Sequence, residues 1–340
     1  MGTDNVEAFS EGVGLITNLL GQGTEIDLPE HWAESFRNRE KRNESPTSLI
    51  NYVECPLKWF SDRHAPENQG GVFVPNTFSV IGNYAHRVLE LFFDLPPEER
   101  TQDTLYDIDD SVWEAMSSGN VRGGVVDASM IRDFQYVEEN PFGNFSKRRN
   151  LDFIHERGSD AIDAILDFSN PQDVDVLGQE KWTRIVSNGL TVNGKIDRLD
   201  KIGEGKISLV DYKTGKDKVP EGYKPDFDDL EFIKSGMYSV MEGPEAVKVE
   251  QFYLKEPCAR YGITVTPDRR EFITKVIETV TSGMNKVEET GVIEYRPGIR
   301  KNSGACQYCP IKEVCPAWNS GSTLEDVADF LAGEAEEGGA

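Results

Sequence analysis

Asp197, Asp211 and Lys213 stand in two short runs that together could form one reactive centre. The first run reads Gly194-Lys195-Ile196-Asp197-Arg198-Leu199-Asp200 and the second Leu209-Val210-Asp211-Tyr212-Lys213-Thr214-Gly215, with a Gly-containing turn over 202–206 between them. Side chains alternate along a strand, so Asp211 and Lys213 project from the same face. A hairpin would bring Asp197 in from the neighbouring strand, close enough to share a cation with Asp211. Two carboxylates and an ammonium at a strand end suit binding of a hard divalent cation and activation of water. A solvated hairpin with charges on its open face would carry the same letters.

Cysteine supplies a second set of candidate ligands. Of the five cysteines, Cys306, Cys309 and Cys315 are spaced Cys-x2-Cys-x5-Cys, while Cys55 and Cys258 stand apart. The acidic, polar N-terminus shows neither a basic nor an apolar signal region, so cytoplasmic residence is the expectation. In that setting the spacing points to metal ligation rather than disulfides.

The elements that must position these groups can be read from periodicity. Ser45-Pro46-Thr47-Ser48 is a helix start, and the helix should run through Leu49, Tyr52, Leu57 and Phe60 with Cys55-Pro56 within it or at its end. Residues 80–93 form a strongly amphipathic helix with an apolar stripe at 81, 84, 85, 88, 89, 92 and 93. His86 sits beside that stripe near the small residues Gly82 and Ala85, and a lone helical His is either structural or a ligand. Residues 96–173 are acidic and mostly helical. From 174 the pattern changes to strands at 176–186, 190–199 and Lys206–Lys213, the first two joined by the hairpin signal Asn188-Gly189. A helix over 228–241, strands over 247–255 and 261–266, and a long helix over 267–289 follow. The order implies a mixed sheet flanked by helices.

Length and charge set outer limits. The 340 residues can bury one large domain or two ordinary ones, and no apolar run approaches the ~20 residues of a membrane span. A formal charge of −24 counts against gripping a polyanion but leaves room for a local basic patch. Candidates are Lys147, Arg148 and Arg149, then Lys234, and then Arg296, Arg300 and Lys301. No phosphate-binding Gly-rich loop is present, which argues against ATP-driven motor activity within the chain.

The helical Gly-x-x-x-His, the Gly-x-x-Asp-Arg, the Asp-Tyr-Lys-Thr-Gly and the later helical Tyr238 resemble the PD-(D/E)XK nucleases, and more narrowly the RecB-type exonucleases. A Cys-Pro helix before the His and Cys-x2-Cys-x5-Cys-Pro at the far end resemble the iron–sulfur branch, which includes the AddB nuclease domain and the CRISPR-associated exonucleases. The resemblance implies an α/β restriction-endonuclease-like core, a mixed central sheet flanked by helices with a helical insertion over 96–173. It also implies an iron–sulfur staple. On this reading 1–44 is a polar acidic leader, 45–320 the nuclease domain with its cysteine segment at 296–318, and 321–340 an acidic disordered tail.

Carried over by residue, the resemblance implies that His86, Asp197, Asp211 and the Tyr212 carbonyl hold Mg²⁺ or Mn²⁺. Lys213 would orient or help activate the attacking water, and Glu180 would support. Tyr238 matches the Tyr of a Gln-x-x-x-Tyr helix motif whose Gln is Lys234 here. Cys55, Cys306, Cys309 and Cys315 would hold a [4Fe–4S] cluster, with Zn²⁺ the alternative occupant, and Cys258 would simply be buried. The implied activity is a DNA exonuclease acting on single strands or duplex ends, leaving 5′-phosphates, in repair, recombination or phage DNA metabolism and with a helicase or recombination partner. Two alternatives stay open: a CRISPR spacer-acquisition nuclease that trims prespacers, and a non-catalytic DNA-end-binding subunit of a helicase complex.

Overall fold

Capping and turn chemistry set the element boundaries in the computed structural model, which describes residues 24–28, 43–64, 74–121, 123–217, 219, 221–227, 229–295, 309, 311–316, 318–319 and 321–332. The short strands β1 (Thr24–Asp27) and β2 (Asn43–Glu44) precede α1 (Pro46–Glu54). Ser45 caps α1 by accepting from the Ser48 N–H at 3.1 Å, and Pro46 occupies the first turn, where its missing N–H has no partner to lose. The helix expected to continue through Phe60 is broken at Cys55, which is extended with φ −163°, before α2 (Pro56–His64). Pro56 drives its preceding residue out of the helical region, which accounts for the break.

The helix carrying His86 is α3 (Thr77–Phe93), capped by Asn76, whose side chain accepts from the Phe78 and Ser79 N–H groups at 3.0 Å. Its stripe of Val80, Ile81, Tyr84, Ala85, Val88, Leu89, Phe92 and Phe93 is buried. The insertion wraps α3 with α4 (Gln102–Ser118), α5 (Ala128–Glu139), α6 (Lys147–Asp163) and the single turn α7 (Ile165–Phe168). The strands follow as β3 (Val176–Ser187), β4 (Leu190–Gly203) and β5 (Lys206–Lys213). After them come α8 (Leu230–Glu242), β6 (Ala246–Tyr253), β7 (Ala259–Thr264), α9 (Pro267–Thr290), β8 (Val292–Tyr295) and α10 (Leu324–Ala332).

The sheet is mixed, in the order β2-β4-β5-β6-β7 with β3 paired to β4. β3 and β4 form an antiparallel hairpin whose turn uses left-handed Asn188 (φ 49°) and Gly189 (φ 78°), the conformations a tight two-residue turn requires. β4 to β5 and β6 to β7 are antiparallel, and β5 to β6 is parallel across α8. Each sheet face buries its own core. One combines α1, α2, α8 and α9 with Ile196, Leu209 and Val249; the other combines α3 and the insertion with Val210, Tyr212 and Phe252. Strands covered on both faces read as near-continuous apolar runs, as Leu209-Val210 of β5 does.

Two regions expected to lie outside the core contribute to it. β1, within the expected leader, pairs antiparallel with β8. Within the expected disordered tail, Leu324–Ala332 is helical and Val327 is fully buried. The apolar spacing of Leu324, Val327 and Phe330 gives that segment a face to bury despite its acids.

Candidate active site and metal centre

Three adjacent strands place three carboxylates in one row. In β3 and β4 the pairs Gln179↔Arg198 and Lys181↔Ile196 leave Glu180 opposite Asp197. In β4 and β5 the register ends at Arg198↔Val210, one step short of Asp197 and Asp211. Glu180 has a left-handed backbone, φ 47°, an uncommon state for a residue with a Cβ and one concentrated at functional sites. Opposite it the face alternation of β4 slips, because Ile196 and Leu199, an odd number of residues apart, enter the same core. The sheet is thus irregular where the row stands.

α3 lowers His86 onto that row. Its Nδ1 lies 3.6 Å from Asp197 Oδ1 and 3.9 Å from Glu180 Oε1, and one ligand atom from each of the three residues falls within 4.8 Å of the others. Gln179 fixes the approach of helix to strand, its side-chain N–H₂ donating to the Glu90 carbonyl at 2.6 Å and to Asp94 Oδ1 at 2.9 Å. Lys195 pairs with the other oxygen of Glu180.

Charge differs sharply along the row. Burial pushes the Asp197 carboxyl up to about 6; His86 pulls against this and Asp211 adds to it. Asp197 Oδ2 also accepts the Tyr212 N–H at 2.7 Å. Burial would raise Asp211 too, but Lys213 and Lys234 outweigh it and hold this carboxyl below the usual range. Asp211 Oδ2 lies 2.5 Å from the Lys213 ammonium. Lys234 and Tyr238 sit one turn apart on α8, the Lys234 ammonium 5.7 Å from the centre of the Tyr238 ring. Burial, then Asp211 and Asp197, push the Tyr238 phenol well above its ordinary pKa, so it stays protonated.

One imidazole nitrogen among clustered carboxylate oxygens is a donor set suited to a hard divalent cation. His86, Glu180 and Asp197 form the tight group, with Asp211 turned toward Lys213. Glu180, expected to support, therefore stands in the tight group with His86 and Asp197.

Two residues of the Gly-x-x-Asp-Arg run frame the row in ways the sequence reading did not assign. A methyl group at position 194 would overlap the Tyr238 ring, so the Gly of Gly-x-x-Asp is the seat of the helical Tyr. Arg198 is buried, donates to both Asp200 oxygens at 2.8 Å and to the Tyr212 hydroxyl at 2.7 Å, and lies 4.1 Å over the Phe93 ring. It ties β4 to β5 beside the row. Opposite charges two apart within an apolar strand were the available signal, since such residues share a face.

The remaining candidates lie elsewhere. Lys147, Arg148 and Arg149 are exposed at the start of α6, where Arg148 is 3.9 Å from Asp152 and Arg149 is 4.3 Å from the centre of the Phe145 ring. Arg296, Arg300, Lys301 and Cys306 lie outside the described residues. Cys55, Cys309 and Cys315 are half-buried against one core. Cys258, expected to be buried, is half-buried against the other core and donates to Glu256 at 3.4 Å.

The chain belongs to the PD-(D/E)XK nuclease superfamily, whose family model matches residues 43–316. Nucleases of this superfamily typically use divalent metals such as Mg²⁺ or Mn²⁺. No curated protein matches the chain. Among solved structures, SSO0001 is 12% identical, with 85% of this chain and 96% of that chain covered and a TM-score of 0.36. A protein of Eubacterium rectale named "Putative exonuclease" is 13% identical, with 81% and 90% covered and a TM-score of 0.45. The family assignment rests on the family model and not on these overlays.

Proposed function

We propose that this chain is a divalent-metal-dependent deoxyribonuclease that works from DNA ends as an exonuclease. The observation that carries this reading is the row of Glu180, Asp197 and Asp211 across three strands, closed by His86 on one side and Lys213 on the other. His86, Glu180 and Asp197 would hold Mg²⁺ or Mn²⁺, with Asp211 and the Tyr212 carbonyl completing the set. When bound, such a cation supplies Lewis-acid charge at the scissile phosphate and lowers the pKa of a coordinated water. Asp211, kept ionised by Lys213 and Lys234, is an acceptor that orients a water for in-line attack. The Lys213 ammonium stabilises the negative charge that develops on the phosphate oxygens. Tyr238 holds α8 against β4 and offers a protonated hydroxyl beside the row.

We further propose that Cys55, Cys306, Cys309 and Cys315 hold a [4Fe–4S] cluster, with zinc as the competing occupant. Supporting this, three of the four pack against one core although Cys55 and Cys309 are far apart in sequence.

The nuclease reading is tested with end-labelled linear DNA and Mg²⁺ or Mn²⁺. Lys213→Ala and Asp211→Ala should each lower the rate at least about 100-fold, the scale of losing one transition-state charge contact, with circular dichroism unchanged. Wild-type rates in either variant would sink the assignment.

A further inference from the structure

Beyond the metal row the β3–β4 hairpin continues with one face that no described element covers. On the other face Val192, Gly194 and Ile196 are buried and Ile185 packs against the core. The bare face carries Trp182, Arg184 and Val186 on β3, paired with Lys195, Asn193 and Thr191 on β4. Trp182 is 70% and Val186 65% exposed, two large apolar side chains left in water on one face. Helix α3 covers this side of the sheet at Gln179 and Glu180, and the uncovered stretch begins at Trp182. A cleft of about 470 Å³, lined in part by His86, Glu180 and Lys195, opens at the junction.

Charge on this face runs against the whole molecule. The chain has 60 acidic against 36 basic residues, yet these six positions hold two cations and no carboxylate. The Arg184 guanidinium has no ion-pair partner among the described residues, and Lys195 reaches back to Glu180. A cationic strip with an unburied aromatic plane is the chemistry that recognises single-stranded nucleic acid. Phosphates meet the cations, and a base stacks on the ring because every base offers a π face. At about 3.3 Å per strand residue, Trp182 stands about 7 Å from Glu180 and Val186 about 20 Å. With about 3.4 Å between stacked nucleotides, the strip spans roughly six nucleotides leading to the row.

We propose that this open hairpin face is the path of a DNA single strand into the site, with Trp182 stacking a base about two nucleotides from the scissile bond and Arg184 holding the backbone. The proposal rests on the nuclease reading above and adds the strandedness of the substrate and its direction of approach. A duplex, whose bases are already stacked and paired, gains nothing from Trp182.

Binding is measured by fluorescence anisotropy with a labelled 20-nucleotide poly-dT strand and a blunt duplex, without metal. Trp182→Ala should weaken poly-dT binding about ten-fold, within the range for one stacked base, and leave the duplex affinity unchanged, while Trp182→Phe retains most of the binding. Arg184→Ala should reduce the salt slope by about 0.7, the loss of one phosphate contact to a single strand. With Mg²⁺ or Mn²⁺, Trp182→Ala should raise KM for the strand about ten-fold and change kcat less than two-fold. Equal loss for strand and duplex, wild-type affinity and KM in Trp182→Ala, or a wild-type dimer that this substitution dissociates would each overturn the path. A protein that binds poly-dT through Trp182 but cleaves nothing keeps the path and overturns the nuclease reading instead.

Discussion

Asp197 is where the demands of folding and of chemistry conflict most directly. Its carboxyl is pushed up to about 6 by burial and by Asp211, despite the pull of His86. A carboxyl whose pKa is raised on folding costs stability above that pKa, and the cost disappears as pH falls toward the unfolded value. Asp197→Asn keeps an acceptor for the Tyr212 N–H and removes the charge. The metal-free variant should therefore be more stable than wild type at pH 7, on the order of 1–3 kcal/mol. That difference should shrink as pH drops through 6 and vanish below the ordinary carboxylate value of 3.8. Thermal scans across pH check it, and a destabilised variant at pH 7 would show that the carboxylate is not a burial cost. Added Mg²⁺ or Mn²⁺ should raise the melting temperature of wild type only, with wild-type affinity falling about ten-fold per pH unit below 6 as one proton competes. Residue identity carried much of this: Asp197, Asp211 and Lys213 are legible as letters two apart on a strand or facing across a hairpin. The rank of Glu180 was not, because it depends on a left-handed backbone that Glu gives no sign of adopting.

At the scale of elements, the site depends on how α8 and α3 are seated on the sheet. The Tyr238 ring occupies the space above Gly194, so Gly194→Ala forces helix or strand to move. Overpacking of this kind costs about 1–3 kcal/mol. In a Tyr238→Ala background the same substitution should cost close to nothing, and a double-mutant cycle in denaturant reads the difference. An additive cycle would mean the two residues do not share that space. A second test falls on the cysteine segment. If Cys55 and the distal cysteines hold an iron–sulfur cluster, anaerobically purified protein should be brown, and Cys309→Ser should lose the broad visible absorption and unfold several degrees lower. A colourless protein with one zinc per chain would overturn the cluster. Strands 176–186 and 190–199, the Asn188-Gly189 turn and the helix over 267–289 were legible because their periods are long and their turn residues specific. β1 and β8 were not: each is four residues long, and only their pairing across the chain makes them strands.

For the whole molecule the governing quantity is the formal charge of −24. Self-repulsion among surface carboxylates destabilises the compact state, and salt screens it, the Debye length falling from about 10 Å at 0.1 M to about 3 Å at 1 M. The buried Arg198–Asp200 pair is shielded from that screening, so the response comes from the surface. Raising KCl from 0.1 to 1 M should stabilise the metal-free protein by ~1–2 kcal/mol; a falling melting temperature would mean that attractive surface pairs dominate. DNA binding should respond in the other direction but weakly. Each phosphate contact to a single strand contributes about −0.7 to the slope of log K against log salt. If Arg184, Lys195, Lys213 and Lys234 make the contacts, the slope is about −3, and screening of the repelling surface makes it shallower still. A slope steeper than about −5 would require more cations than the hairpin face and the row contain, and would move the grip on DNA to other basic residues, such as Arg296, Arg300 and Lys301.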